Sequence, residues 1–423
     1  MTLSRRMFLG GAAGVAALGL TGVGVASPQR AFALDPDGME SKMLFGDAQA
    51  GAASIPKESG NGNYHSCRIP AILAIPGTGV VIAVVEGRPD GVADASGNIN
   101  LLMRRSTDSG LTWSVATTIA GAGAGGWTNP TLVHDRTTGR VTCFTLRRQE
   151  GAEYNVEPDV YVLTSDNNGA TWTSPVARTD LNRNAGNDFI GPGNGIQRVD
   201  GTLVVPARGR LITKAPGGDW SNVSIPGGFL KAADGHGLPY GEGTVAERSD
   251  GQLILNYRAL DAEIKNGGTF PNTRRIAIGN PGSWQQFGSE YWRTQIIDPG
   301  AHAAQISHTI NGNPFLIHLN SASQQDDNRY QMKLRASADN GETWPNAYER
   351  FLSTDPLASE GNQVGDLREG GYSALTSTGS GIVLALVEAR RVQDANPTIG
   401  QLNDYPCAVV LRRFDPSWLV PAS

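Results

Sequence analysis

The sequence predicts an all-β fold, a six-bladed β-propeller of four-stranded antiparallel sheets. Three observations carry that prediction. An octapeptide recurs as STDSGLTW at 106–113, SDNNGATW at 165–172 and SADNGETW at 337–344. Short apolar, β-branched runs punctuate the chain: GVVIAVVEGR, VTCFTLRR, VYVLTS, TLVVPARG, LILNYRA, PFLIHLN and GIVLALVEAR, the composition that suits strands. Turn formers are abundant, with 54 Gly and 24 Pro in 423 residues, which favours many short strands over long helices.

The spacing of the octapeptide sets the number of units. The first two copies start 59 residues apart (165 − 106) and the second and third 172 apart (337 − 165). One unit of about 57 to 59 residues fits both gaps, with two degraded copies between them. These are expected near positions 222 and 280, where GGDWSNVS and IAIGNPGSW stand. Such a unit has room for about four short strands, and radial repetition of four-stranded sheets is a propeller. The roughly 390 residues after the N-terminal segment make about six such units.

The octapeptide reads as structure rather than chemistry. Gly110, Gly169 and Gly341 supply a positive φ where the chain reverses. Asp108, Asn167 and Asp339 can bond main-chain amides two residues on. Trp113, Trp172 and Trp344 are expected to fold back as apolar plugs between sheets.

The first residues read as an address. Arg5 and Arg6 precede a weakly apolar Gly- and Ala-rich run, and Ala31-Phe32-Ala33 offers an A-x-A cleavage site. A Tat-type signal peptide over 1–33 and a single catalytic domain over 34–423 are therefore expected, with export of the folded protein. A Gly- and Ala-rich run makes a poor bilayer span. The net charge of −5 argues against a nucleic-acid partner. Three cysteines, Cys67, Cys143 and Cys407, allow one disulfide at most. No Cys-x-x-Cys or His-Glu-x-x-His occurs and the six His are scattered, so neither a protein metal site nor a cofactor is expected. Asn222-Val223-Ser224 fits a glycosylation sequon, which means little in a Tat-exported protein.

With these elements in order, the chain resembles the bacterial exo-α-sialidase (neuraminidase) family over about Tyr64 to Arg413. The octapeptides look like its Asp boxes, and CRIPAIL at 67–73 looks like its opening Arg-Ile-Pro motif. The resemblance implies three arginines that grip a substrate carboxylate: Arg68, Arg258 in LILNYRALD, and Arg329 in DNRYQMKLRASADNG. Guanidinium forks suit a planar carboxylate, giving bidentate bonds and never deprotonating. Taken singly, each is as readily an ion-pair partner. It further implies that Glu388 in LVEAR orients the first arginine, that Tyr372 in EGGYSALT is the nucleophile, and that Glu242 in YGEGTVAE, sixteen residues before Arg258, is its base. A neutral tyrosine avoids the repulsion an anionic nucleophile would meet from an anionic sugar. Glu247 is the rival base, although Arg248 and Asp250 beside it suggest a solvated turn.

The acid/base is expected shortly after a second pocket arginine, Arg88. Asp94 fits, and Asp90, between Pro89 and Gly91, is better explained as a turn former. Asn129 in WTNPTLV stands where some relatives carry Asp, on the side of the C4 and C5 substituents. FIGPGNGIQ at 189–197 looks like a family loop facing the glycerol or acyl side. The expected protein is thus a secreted, monomeric, retaining exo-α-sialidase acting on sialic-acid-type glycoconjugates, with no nucleic-acid or membrane partner. The rivals are a sister glycosidase for KDN or Kdo and a non-catalytic glycan-binding propeller. A binder has no need of a nucleophile pair.

Overall fold

Six sheets of four or five strands surround a common axis, five of them stepping outward strand by strand along consecutive chain and the sixth joining strands from early and late in the sequence. The computed structural model describes residues 33–34, 39–46, 55–56, 63–89, 91, 94, 98–121, 125–149, 158–183, 188–225, 240–259, 273–281, 283, 292–322, 329, 331–352, 368–390 and 407–420. All belong to the second of two compact units, Met1–Ala31 and Phe32–Ser423. The expected export segment, Ala33 excepted, lies outside the described residues.

The first blade is Ser66–Ala74, Val81–Arg88, Asn100–Ser106 and Thr117–Ala120. The second is Gly126–His134, Val141–Arg148, Asp159–Ser165 and Val176–Ala177, with Gly193–Asn194 added in parallel at its inner edge. The third is Ile196–Gln197, Leu203–Ala207, Arg210–Lys214 and Trp220–Ser224, and the fourth is Tyr240–Glu247, Leu253–Ala259, Thr273–Gly279 and Trp292–Ile297. The fifth is Ala304–Ile310, Asn313–Ser321, Met332–Ser337 and Glu349–Phe351. The sixth takes Arg368–Ser377, Val383–Arg390 and Cys407–Phe414 from late in the chain and Glu40–Phe45, flanked by Ala33–Leu34, from early in it. That pairing closes the ring. The first strands pack against one another around the axis.

Strand composition follows position in the blade. Val81–Arg88 and Val383–Arg390 are buried along their whole length, because neighbouring blades cover both faces. They therefore read as continuous apolar runs without alternation. Outermost strands such as Val176–Ala177 are exposed. The core lies between blades. Leu132, Val141 and Leu163 of the second pack with Ala71, Ile82 and Val84 of the first. Ile317 and Leu334 of the fifth pack with Leu375, Val383 and Val387 of the sixth.

The octapeptides form the turns between third and fourth strands. Ser106 Oγ accepts from Gly110 N at 2.9 Å, and Asp108 Oδ1 accepts from Thr112 N at 2.8 Å. The same bonds recur at Ser165–Gly169, Asn167–Thr171, Ser337–Gly341 and Asp339–Thr343. Each box glycine also faces the preceding blade. A Cβ on Gly110, Gly169 or Gly341 would meet Leu384, Ile82 or Ile254 at 3.0, 2.5 and 2.5 Å. All three are the second residue of a second strand, so the box spaces one blade from the next. Trp113 and Trp344 are buried between blades and Trp172 is partly so. In the third blade, 215–219 occupies the box position and Trp220 opens the fourth strand. In the fourth, the third strand ends at Gly279, and Trp284 lies outside the described residues.

Candidate active site

Inner strands carry bulges at one end of the axis. Register shifts fall between Arg68 and Ala71, Thr128 and Thr131, Tyr240 and Gly243, and Glu369 and Ser373. A bulge bends its strand and re-aims side chains. These four bring Arg68, Asn129, Glu242 and Tyr372 to the same end of the ring. The second strands reach that end with Arg88, Arg258, Glu388 and Arg390.

At the centre, Tyr372 Oη donates to Glu242 Oε1 in a short hydrogen bond. Arg258 Nη1 donates to Glu242 Oε2 at 2.9 Å and to Tyr372 Oη at 2.8 Å. Both Glu242 and Tyr372 are 5 % exposed. Burial pushes the Glu242 carboxyl up, but Arg258 and the Tyr372 hydroxyl together hold it below the usual carboxylate range. Burial pushes the Tyr372 phenol up, against the pull of Arg258. The pair at rest is thus a carboxylate and a neutral phenol.

Two more guanidiniums flank the phenol ring, Arg68 Cζ at 5.5 Å and Arg329 Cζ at 5.9 Å from its centroid. Arg68 is anchored by Glu388: Nε donates to Oε1 at 3.1 Å and Nη2 to Oε2 at 3.4 Å. Arg329 differs. It forms no ion pair among the described residues, and its Nε has no hydrogen-bond partner there. Burial and then the charges of Arg258 and Arg68 lower its pKa. Three guanidiniums thus converge on Tyr372, two of them paired with Glu388 and Glu242 and the third, Arg329, with no ion pair among the described residues, so the cluster can accept a further anion.

Asp94 lies opposite, its Oδ1 2.7 Å from Arg88 Nη1 and 3.5 Å from Arg68 Nη1. Its side chain is 46 % exposed. Asp90 lies outside the described residues. Glu247 is excluded from the site: it accepts from Val199 N at 2.8 Å, pairs with Arg198, and lines a cavity of about 650 Å³ at the opposite ends of the inner strands. The Arg248–Asp250 ion pair beside it, at 3.1 Å, fits the expected turn. The 189–197 loop reaches the site by its main chain, with Gly191 O accepting from Gly243 N at 3.0 Å.

Several contributors escaped the sequence reading. Glu86 is fully buried, accepts from Arg88 Nε at 2.9 Å and from Asn129 N at 2.8 Å. Glu388 likewise accepts from Ile69 N at 3.0 Å. Ile69 and Asn129 have φ of 55° and 56°, so each Glu pins the left-handed residue in the next blade's bulge. The signal was present: Val85-Glu86-Gly87-Arg88 and Val387-Glu388-Ala389-Arg390 end equivalent strands, and Ile69-Pro70, Asn129-Pro130 and Gly191-Pro192 recur at spacings of 60 and 62 residues (129 − 69, 191 − 129). Gly191 is also left-handed, at 52°. Gly371, at φ 119°, is a place where only hydrogen fits, since a Cβ would overlap Glu388 Oε2.

Cys67, Cys143 and Cys407 are buried free thiols. Among the described residues, no three His, Cys, Asp or Glu side chains cluster as metal ligands would.

This arrangement sits in a chain with clear relatives. Residues 79–384 match the model of the BNR repeat-like domain. The exo-alpha-sialidase of Arthroderma benhamiae is 30% identical, covering 91% of this chain and 93% of that protein. That of Aspergillus fumigatus is 31% identical over 88% of this chain and 89% of its own length. Among solved structures, the intramolecular trans-sialidase from Ruminococcus gnavus, in complex with oseltamivir carboxylate, superposes with a TM-score of 0.66 at 16% identity, covering 90% of this chain and 99% of that one. The last likeness establishes the shared fold. The family match and the two fungal relatives establish more: the chain is a glycoside hydrolase and belongs to the BNR-repeat exo-α-sialidase family.

Proposed function

We propose that this enzyme is exported and removes terminal sialic acids from glycoconjugates with retention of configuration, through Tyr372. The observation that carries this reading is the hydrogen-bonded set of Tyr372, Glu242 and Arg258 flanked by the guanidiniums of Arg68 and Arg329. Arg68, Arg258 and Arg329 hold the substrate carboxylate. Tyr372 Oη attacks the anomeric carbon and its proton passes to Glu242, so no free phenolate has to form. Asp94, which takes up a proton from solvent as the bound sugar covers it and favours its neutral form, passes that proton to the departing oxygen. The arriving substrate carboxylate competes for Arg68 and loosens that arginine's hold on Asp94. In the second half, Asp94 takes a proton from water, water attacks the anomeric carbon, and Glu242 returns the proton to Tyr372. The paired Arg5 and Arg6 with the A-x-A site support export, and a monomer is sufficient because one ring holds every residue named.

A 3-fluoro-sialosyl fluoride tests the mechanism. Its ring fluorine slows breakdown of the intermediate while fluoride still departs. Mass spectrometry of a digest should find the sugar on the peptide containing Gly370-Gly371-Tyr372, with no label in Tyr372→Phe. Labelling at Glu242 or Asp94, or inverted product from the parent enzyme, overturns the reading. Aryl glycosides of N-acetylneuraminic acid, KDN and Kdo, compared on the same preparation, rank the substrates at C5.

A further inference from the structure

His302 stands just before the fifth blade's inner strand, Ala304–Ile310, at the level from which neighbouring blades supply Arg68, Asn129, Glu242 and Tyr372. It is 1 % exposed. Its ring lies 5.6 Å from that of Tyr372, tilted by 35°. By strict geometry neither ring nitrogen has a hydrogen bond among the described residues, and the Ser373 main chain bonds the ring only loosely, so at least one nitrogen is left over, which is rare for a buried polar group. The turn leading to it is fixed: Asp298 Oδ1 accepts from Gly300 N at 2.7 Å and Ala301 N at 3.0 Å, and Arg274 Nη1 binds Asp298 Oδ2 and the Ala301 carbonyl. The main chain that carries the ring is therefore fixed, while one ring nitrogen stays uncommitted.

We propose that His302 is a positioning residue for the Tyr372–Glu242 pair, an imidazole that packs behind the phenol and offers its free nitrogen to Glu242 as the proton moves onto that carboxylate. A neutral imidazole offers one donor and one acceptor. With its N–H turned to the Ser373 main chain, the lone pair of the other nitrogen is left to accept from Glu242 once that group becomes an acid. The groups facing it are Glu242, Arg258 and Arg274 from the fourth blade, His318 from the fifth, and Tyr372 with the Ser373 main chain from the sixth. Burial first, then Arg274 and Arg258, lower its pKa to about 4 against the pull of Glu242, which keeps the ring neutral at working pH.

The proposal rests on Tyr372 as nucleophile, and its test separates the two. His302→Phe keeps the ring and removes both nitrogens; His302→Asn keeps a donor and an acceptor. His302→Phe should lose at least about tenfold in kcat, less than the roughly 100- to 10,000-fold that a general acid or base itself contributes, while KM changes less than about twofold. The acid limb of kcat/KM should involve one proton fewer than in the parent. His302→Asn should recover most of kcat. Parental kcat in His302→Phe overturns the proposal, as does an equal loss in both variants with an unchanged acid limb, which would mean packing alone. Should the variants not fold, the parent answers by 15N NMR of its histidines, where the His302 signals should move on trapping with the fluorosugar. A trapped Tyr372 with unmoved His302 signals overturns this proposal alone, and no label on Tyr372 overturns the nucleophile assignment first.

Discussion

The carboxylate of Glu388 holds Arg68 from the side, with Oε1 3.1 Å from Nε, while the same oxygen accepts the main-chain N–H of the next residue, Ile69, at 3.0 Å. One acid thus fixes both the guanidinium and the bulge that presents it. Burial raises the Glu388 pKa, but Arg68 and Arg390 outweigh it and keep the acid ionised. Glu388→Gln should therefore lower stability by about 3 kcal/mol, because it leaves a buried guanidinium without its counter-charge. A fall in kcat/KM of roughly 100-fold should accompany it, as small misplacements of binding groups produce. Thermal denaturation and steady-state kinetics check the two effects.

Arg329→Lys keeps the charge and loses the fork. Transition-state binding should weaken by about 2 to 4 kcal/mol, or roughly 30- to 1000-fold in kcat/KM. Melting temperature should barely change, since Arg329 forms no ion pair among the described residues. Unchanged kinetics would remove Arg329 from the clamp.

Gly371→Ala drives a methyl group into Glu388 Oε2 at a φ of 119°. Strain at such a position costs on the order of 1 to 3 kcal/mol before the clash is counted, and kcat/KM should fall at least about 100-fold as Tyr372 shifts. Gly217→Ala is the control. Its φ is 72° and its Cβ would meet nothing within 4 Å, so it should cost only about 1 to 2 kcal/mol with parental kinetics.

Trp344→Ala should destabilise by about 3 to 5 kcal/mol, as loss of a buried aromatic does, with KM unchanged in whatever remains folded. Trp344 packs between the fourth and fifth blades, away from the clamp. A stable variant that loses substrate binding would contradict the spacer role of the boxes.

Stability should fall as pH drops from about 6.5 to about 4. His302 has a pKa lowered to about 4 in the folded chain from its ordinary 6.5, so in that window the unfolded state binds more protons and stability rises with pH. The span of about 2.5 units is on the order of 3 kcal/mol. His318 is lowered in the same direction by burial, then Arg274 and Arg335. Chemical denaturation across that range should find a shallower slope in His302→Phe than in the parent.

How far the sequence could be read follows from how local each signal was. The box encodes its own turn within eight residues, so period, turn chemistry and ring size were legible. Arg68, Arg258, Tyr372 and Glu242 carried short surrounding motifs, and the fold brings them together. Glu86 was not legible, because its partners Arg88 and Asn129 lie on two blades and its meaning depends on the bulge between them. His302 has no local pattern at all, and only closure of the ring sets it behind Tyr372. The third blade's copy of the box was seen as a weak remnant because it keeps a turn, while, counted from the strand end, Lys214 and Pro216 stand where the box has its Ser and Asp.

The sixth blade has a mechanical consequence. Glu40 lies opposite Arg413 and Phe45 opposite Val409 in an antiparallel ladder, with an Arg413–Glu40 ion pair of 3.0 Å at the outer end. Tension applied at residues 39 and 415 therefore loads both strands from the same end. The ladder would peel one rung at a time instead of resisting in shear, with the ion pair as the first rung to break. The seam that completes the ring against heat is the point where a pulled chain would open, while every other blade, being continuous in sequence, would still be whole.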